Sequence, residues 1–232
     1  MTAQATLILV HGVFHRAEAW EPLIKALPDI DVRAVQLPSS APVPPAELGD
    51  LNDDARAVRE AVLAVEGPVV VCAHSYGGIP VSEGLAQVDS VRRIVYLNSL
   101  LLDVGESMLD HRSGAYSPYW EVHEDENYVV MTDAEHVFYN DLDPAVAREA
   151  AAKLGPQALA PLSQPLTQAA WHTVAHLYVI GERDNCLPSA VREKFAGRAQ
   201  EVVRMDTSHS PFLSRPRETA ELLREELNKA VS

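Results

Sequence analysis

The chain has 232 residues, 47% of them apolar, with a formal net charge of −14; this suits one α/β domain with a sizeable core and room for an insertion. The acidic balance argues against nucleic acid or an anionic membrane as a partner. No run of about 18 apolar residues is present, the start "MTAQATLILVHG" has no basic leader region, and two cysteines make no disulfide framework, so an unanchored cytoplasmic protein is expected.

Short β-branched runs alternate with helical stretches, the pattern of a mostly parallel sheet covered by helices. A strand over Thr6–Val10 runs into "HGVFHR". A helix over Trp20–Leu27 leads to a second strand, Val32–Gln36, and then to the Pro-rich excursion "LPSSAPVPPAELG" at 37–49. The next helix spans Asn52–Val65, capped by Asn52 and stopped by Gly67 and Pro68. The third strand, Val69–Ala73, meets "HSYGG" and a helix over Tyr76–Gln87, and the fourth spans Arg93–Leu97. Between Asp103 and Thr173 the regularity fails. No strand is predicted there, aromatics and histidines crowd in, and one helix lies near Pro144–Leu154. About 70 residues without a strand is too long for an ordinary connection. Residues 103–173 are therefore read as a helical cap inserted between the fourth and fifth strands, with 1–102 and 174–232 forming the core. The fifth strand, His176–Ile180, a helix over Ser189–Phe195, a sixth strand, Glu201–Met205, and a helix over Arg217–Lys229 complete the chain.

In open α/β sheets, ligand sites collect beyond the carboxyl ends of the strands. Four segments at such ends carry reactive side chains: "LVHGVFHR", "AHSYGG", "GERDNCLP" and "DTSHSPFL". Small-x-Ser-x-Gly between a strand and a helix is the signature of a turn that pushes its serine out as a nucleophile. Here it reads Ala73-His74-Ser75-Tyr76-Gly77, and the helix that follows points its amide dipoles at Ser75. A plain helix-capping serine fits the same string. A neutral hydroxyl needs a base, and an imidazole backed by a buried carboxylate supplies one. His209, after the last strand and before the last helix, is placed for that role, and Asp184 is preferred as its acid over Glu182, Asp206 and Asp103. His11, His15 and His74 read as hydrogen-bonded scaffold. His111, His123 and His136 show no metal-ligand spacing. An oxyanion needs two amides. Tyr76, after the nucleophile, is one candidate. Val13, where Gly12 lets the backbone approach, is the other.

Together these residues resemble the α/β-hydrolase superfamily. The strings "LVHGVFHRAEAW", "AHSYGG", "FYNDLDP", "AAWHTVAHLYVIGERDNCLP" and "DTSHSPFLSRP" are similar to the group of plant methyl esterases, hydroxynitrile lyases and bacterial pyrethroid-type carboxylesterases. The resemblance implies a Ser75–Asp184–His209 triad, in the chain order usual for that fold, with the Val13 and Tyr76 amides at the oxyanion. It also implies a mostly helical cap over the pocket, with no cofactor and no metal. Arg16 stands where relatives often have Gly, and Ala73 replaces the first Gly of the turn. Ser210 and Gly12 stand where the lyases carry Lys and Thr, which removes the charge that would stabilise cyanide. The expectation is a serine hydrolase acting on a small or medium, largely apolar and uncharged carboxylic ester. Gly12, Phe14, Tyr116, Trp120, Tyr128 and Phe138 are expected to contact substrate. The expected partner is a small-molecule ester or lactone, and the chain is expected to be a monomer or homodimer. Other reactions on the same triad (lactone opening, cyclisation, C–C cleavage) and a ligand-binding receptor on this scaffold are the alternatives.

Overall fold

The computed structural model describes residues 4–112 and 114–231. Residues 1–3 and 232, at the ends of the expected core segments, and 113, in the expected cap, lie outside the described residues. Among the described residues the strands are β1 (Thr6–Val10), β2 (Val32–Val35), β3 (Val69–His74), β4 (Val91–Leu97), β5 (Trp120–His123), β6 (Tyr128–Met131), β7 (Gln157–Ala158), β8 (Ala175–Gly181) and β9 (Glu201–Met205). The helices are α1 (Glu21–Lys25), α2 (Leu51–Leu63), α3 (Gly78–Gly84), α4 (Ala134–Phe138), α5 (Pro144–Ala151), α6 (Ala160–Ser163), α7 (Ser189–Ala196), α8 (Pro211–Ser214) and α9 (Pro216–Val231). No helix among the described residues is long and apolar enough to cross a membrane.

The main sheet has the order β2-β1-β3-β4-β8-β9, and every neighbouring pair is parallel. Strands buried on both faces read as continuous apolar runs, and β3, "VVVCAH", shows why. Val69, Val71 and Ala73 pack in one layer with Val58 and Val62 of α2 and Ile79 of α3. Val70 and Cys72 point the other way, into a layer with Leu23 of α1 and Leu223 and Leu227 of α9. From β1 the chain goes first to β2 on one side and then to β3 on the other. The carboxyl ends of β1 and β3 therefore flank the point where strand order reverses, the place where such sheets bind ligands.

Two expectations need correction. The long segment between β4 and β8 is not free of strands, because β5, β6 and β7 form a small antiparallel sheet there. The β5–β6 hairpin turns through Glu124–Asn127, and Asn127 takes the left-handed conformation (φ 57°) that asparagine tolerates. Strands of only two to four residues carry too little apolar pattern to stand out from an aromatic-rich loop. Helix α2 is capped by Asp50 and not by Asn52. The Asp50 carboxylate accepts from the amides of Asn52 (2.8 Å) and Asp53 (3.1 Å), and the Asp53 carboxylate accepts from the Asp50 amide (3.0 Å). Gln164, just after α6, joins this end: its side chain donates to Asp50 (3.0 Å) and accepts from the Leu51 amide (2.8 Å).

Replacing Asp50 with Ala removes the cap and the Gln164 tie together. The expected cost is about 1–2 kcal/mol, a fall in Tm of about 2–8 °C for a chain of this size. Scanning calorimetry of Asp50→Ala beside Asp50→Ser, which keeps an N-capping oxygen, checks this: the serine variant is expected to recover most of the loss.

Candidate active site

Strand β3 ends at His74, and Ser75 takes a left-handed φ of 52°, a costly conformation for a residue with a side chain. The surroundings impose it. A Cβ on Gly77 would lie 2.6 Å from the His11 carbonyl oxygen and 2.7 Å from that of Val10, so the turn closes directly onto the end of β1. The Ser75 carbonyl is held by the Leu100 amide (3.1 Å) and the Ser99 hydroxyl (2.6 Å). Ser75 is only 2% exposed and lines a cavity of about 170 Å³.

His209 and Asp184 form a buried pair. The imidazole Nδ1–H donates to Asp184 Oδ2 at 2.8 Å. The other carboxylate oxygen accepts from the amides of Cys186 (2.6 Å) and Leu187 (3.1 Å), so the acid is fixed from both sides. Burial disfavours the charged imidazole, but the Asp184 carboxylate and, after it, Cys186 together outweigh it and the His209 pKa is raised above the ordinary value. With Nδ1 carrying the proton, Nε2 is the acceptor end of the neutral ring; it is buried and has no hydrogen-bond partner among the described residues. The rival acids are engaged or turned away. Asp206 pairs with Arg183 (2.8 Å), Asp103 pairs with His172 (2.9 Å), and Glu182 is exposed.

The loop after β1 lies against this turn: a Cβ on Gly12 would stand 2.7 Å from Ser75 Cβ and 3.0 Å from His74 Nδ1. Two histidines hold the loop's peptides. His11 Nδ1–H donates to the Gly12 carbonyl (3.0 Å), and His15 Nδ1–H donates to the Val13 carbonyl (2.9 Å). Their Nε2 atoms accept, from the Leu37 amide (3.1 Å) and from the Tyr139 hydroxyl (2.9 Å) respectively. A peptide unit is planar and trans, so gripping the Gly12 carbonyl also fixes the direction of the Val13 N–H. Burial lowers the pKa of His11 to about 4 and that of His15 to about 3, so both clamps are neutral. The Tyr76 hydroxyl donates to buried Asp54 (2.7 Å), which anchors the residue that follows Ser75.

The remaining expected residues scatter. Trp120 lines the cavity with Ser75. Phe14 sits edge-on to Trp120 (5.6 Å), and Tyr116 packs against the same ring (6.4 Å). Phe138 stacks on the His209 ring (5.4 Å). Tyr128 stacks on His123 (4.4 Å) and is not among the cavity's lining residues. Leu100, Met108, Arg112, Val137 and Leu187, none of them anticipated, do line it. Asn98 was also missed. At φ 44°, its side chain donates to the carbonyls of Ser208 (3.0 Å) and His209 (3.0 Å) and accepts from the Gly181 amide, which ties the loop carrying Asp184 to the loop carrying His209. Its signal was a polar "NS" at the end of β4, the same kind of strand-end residue that marked the other loops.

The sequence model of the alpha/beta hydrolase family matches residues 7–222. Alpha/beta hydrolase nvfD of Aspergillus novofumigatus is 30% identical over 245 aligned positions, covering 97% of each chain. Among solved structures, polyneuridine aldehyde esterase superposes with a TM-score of 0.84 at 18% identity, covering 97% of this chain and 99% of that one. A pyrethroid hydrolase from Sphingobium faniae JZ-2 does so with a TM-score of 0.80 at 21% identity, covering 97% of both. At such identities the two structures establish the shared fold.

The buried imidazoles should separate in a titration followed by NMR. His11, His15 and His74, lowered by burial, are expected to stay neutral from pH 5 to 8. His209, raised by Asp184, should take up its proton with a midpoint above about 6.5. In Asp184→Asn the carboxylate is gone and burial remains, so that midpoint should fall below the ordinary value. A His209 midpoint that Asp184→Asn leaves in place would mean that the carboxylate does not control the ring.

Proposed function

The chain belongs to the alpha/beta hydrolase family, and we propose that it is a serine hydrolase that cleaves a small to medium carboxylic ester through an acyl-enzyme. The observation that carries this reading is the buried Asp184–His209 pair, with its Nε2 unpartnered and its ring 4.7 Å from that of His74, the residue before a serine held at φ 52° on a cavity. The Ser75 hydroxyl makes no hydrogen bond to the ring among the described residues. Such contacts are commonly long in free enzymes and tighten when substrate binds.

In the first half-reaction Ser75 Oγ attacks the ester carbonyl carbon as its proton passes to His209 Nε2. The carbonyl oxygen becomes an oxyanion, which accepts from the Val13 and Tyr76 amides. The tetrahedral adduct collapses, the bond to the alkoxy oxygen breaks, and the imidazolium returns its proton to that oxygen, releasing the alcohol. Water then repeats the sequence on the acyl-enzyme, with His209 taking its proton, and the acid leaves. Asp184 acts on the ring: it fixes the tautomer and stabilises the charge that appears twice per turnover. The aliphatic lining from Leu100, Met108, Val137, Leu187 and Val191 supports a substrate with a largely apolar body.

Exposure to an organophosphonate should add one adduct to the wild-type mass and none to Ser75→Ala; a stoichiometric adduct on the variant would place the nucleophile elsewhere. Since the base works as neutral imidazole, kcat/KM on a p-nitrophenyl ester should fall as pH drops through the raised His209 pKa, with its midpoint above about 6.5. Asp184→Asn should lower kcat by about 10³–10⁴-fold. A pH-independent rate between 5 and 9 would rule out His209 as the base.

A further inference from the structure

We propose that the ester accepted by this site carries a second, ionised carboxylate, and that Arg112 binds it. The chemistry rests on the hydrolase reading above, whereas the recognition rests on the cavity alone.

Arg112 and Ser75 line the same cavity of about 170 Å³. The guanidinium has no ion pair and no hydrogen bond among the described residues, and its Nε is fully buried without a partner. Buried polar groups in folded proteins nearly always have partners, so a buried guanidinium nitrogen without one calls for an explanation. The lining contains neither aspartate nor glutamate, in a protein whose net charge is −14. The nearest acid in sequence, Asp110, accepts from the Ser107 amide (2.6 Å) and hydroxyl (2.8 Å), and the next, Glu106, is held by Arg198 (2.6 Å) and Lys194 (3.3 Å); neither pairs with Arg112. What positions Arg112 is an aromatic face: its guanidinium carbon lies 5.4 Å from the centre of the Trp120 ring, and Trp120 in turn rests edge-on against Phe14 of the loop beside Ser75. This leaves the two terminal nitrogens, which unlike Nε are accessible, free for a bidentate acceptor, the geometry that suits a carboxylate. Arg16 also has an unpartnered buried Nε, but it lines a different cavity in which Glu18, Glu21 and Glu149 oppose its charge. The largely uncharged ester expected from the sequence thus becomes an apolar body with one anionic end.

The test compares matched esters. Mono-p-nitrophenyl adipate is set against its neutral ω-amide, which places the carboxylate on the acyl side. The butyrate ester of 4-hydroxybenzoate is set against that of 4-hydroxybenzamide, which places it on the alcohol side. In one of the two pairs, wild type should prefer the carboxylate by about 10- to 100-fold in kcat/KM, the range of a hydrogen bond to a charged group. Arg112→Gln should collapse that ratio, and Arg112→Lys, which keeps the charge and the contact with Trp120, should retain part of it. Equal rates within both pairs, or a preference that survives in Arg112→Gln, would overturn the proposal. If wild type cleaves none of the four esters, the hydrolase reading fails instead. Calorimetric binding of the same esters then decides: tighter binding of the carboxylate member, lost in Arg112→Gln, upholds the recognition, and indifference ends it.

Discussion

Asp184 and His209 lie 2.8 Å apart with almost no exposure, and a carboxylate removed from water is tolerated only where hydrogen bonds replace the lost hydration. Much of the site's architecture supplies those bonds. Two amides of the loop after β8 saturate one oxygen of Asp184. The His209 carbonyl accepts from Asn98 Nδ2 (3.0 Å) and from His74 Nε2–H (2.9 Å), and the Phe138 ring covers the imidazole. His74, with no carboxylate beside it, is driven well below the ordinary imidazole value by burial and stays neutral. One imidazole in this cluster is thus given an acid and the others are not, so His209 is the ring best placed to hold a proton.

The same economy governs the loop after β1. His11 and His15 work there as neutral donors, and their value lies in what they cannot do. A ring with a pKa of about 4 or 3 does not charge at physiological pH, so the carbonyls of Gly12 and Val13 are held in one orientation throughout. The rigidity of the peptide unit passes that orientation to the amides on the other side of each plane. An oxyanion site needs donors that are already aligned when charge develops, since realignment during the reaction would cost much of the benefit. The close fit of Gly12 on the Ser75 and His74 side chains and of Gly77 on the Val10 and His11 carbonyls has the same effect: neither turn has room to shift.

Each strand of the main sheet could be read to within about two residues, because strands covered on both faces, such as β1 and β3, are uninterrupted apolar runs. Ser75, Asp184 and His209 stand out as candidates for a related reason: each breaks from a strand end where a parallel sheet places its ligands. What stayed hidden depends on partners distant in the chain. Asn98 matters because it meets Ser208 across 110 positions, and Asp54 because a helix and a Pro-rich turn bring it to Ser39 (2.6 Å) and Tyr76. The β5–β6 hairpin escaped because four-residue strands bury too little to show a period. Arg112 is the extreme case. Its significance is the absence of a partner, which no pattern of neighbouring letters records.

An excess of acidic residues is compatible with the anion preference proposed for the cavity, because screening confines exposed charges to about 8–10 Å and ion pairing shortens their reach further. Glu106 illustrates this. Arg198 beside it holds its carboxyl far below the usual range, and its charge is spent on Arg198, Lys194 and the His111 ring (3.2 Å). Inside the cavity the local lining decides, and there a guanidinium faces no carboxylate. On the reading proposed above, turnover would change the balance. An ester that enters with one carboxylate would be converted, if the charge is on its acyl half, into an acid with two, and one guanidinium could not neutralise both. The product would be held less well than the ester that preceded it, so the arrangement proposed to select the substrate would also favour release of the acid.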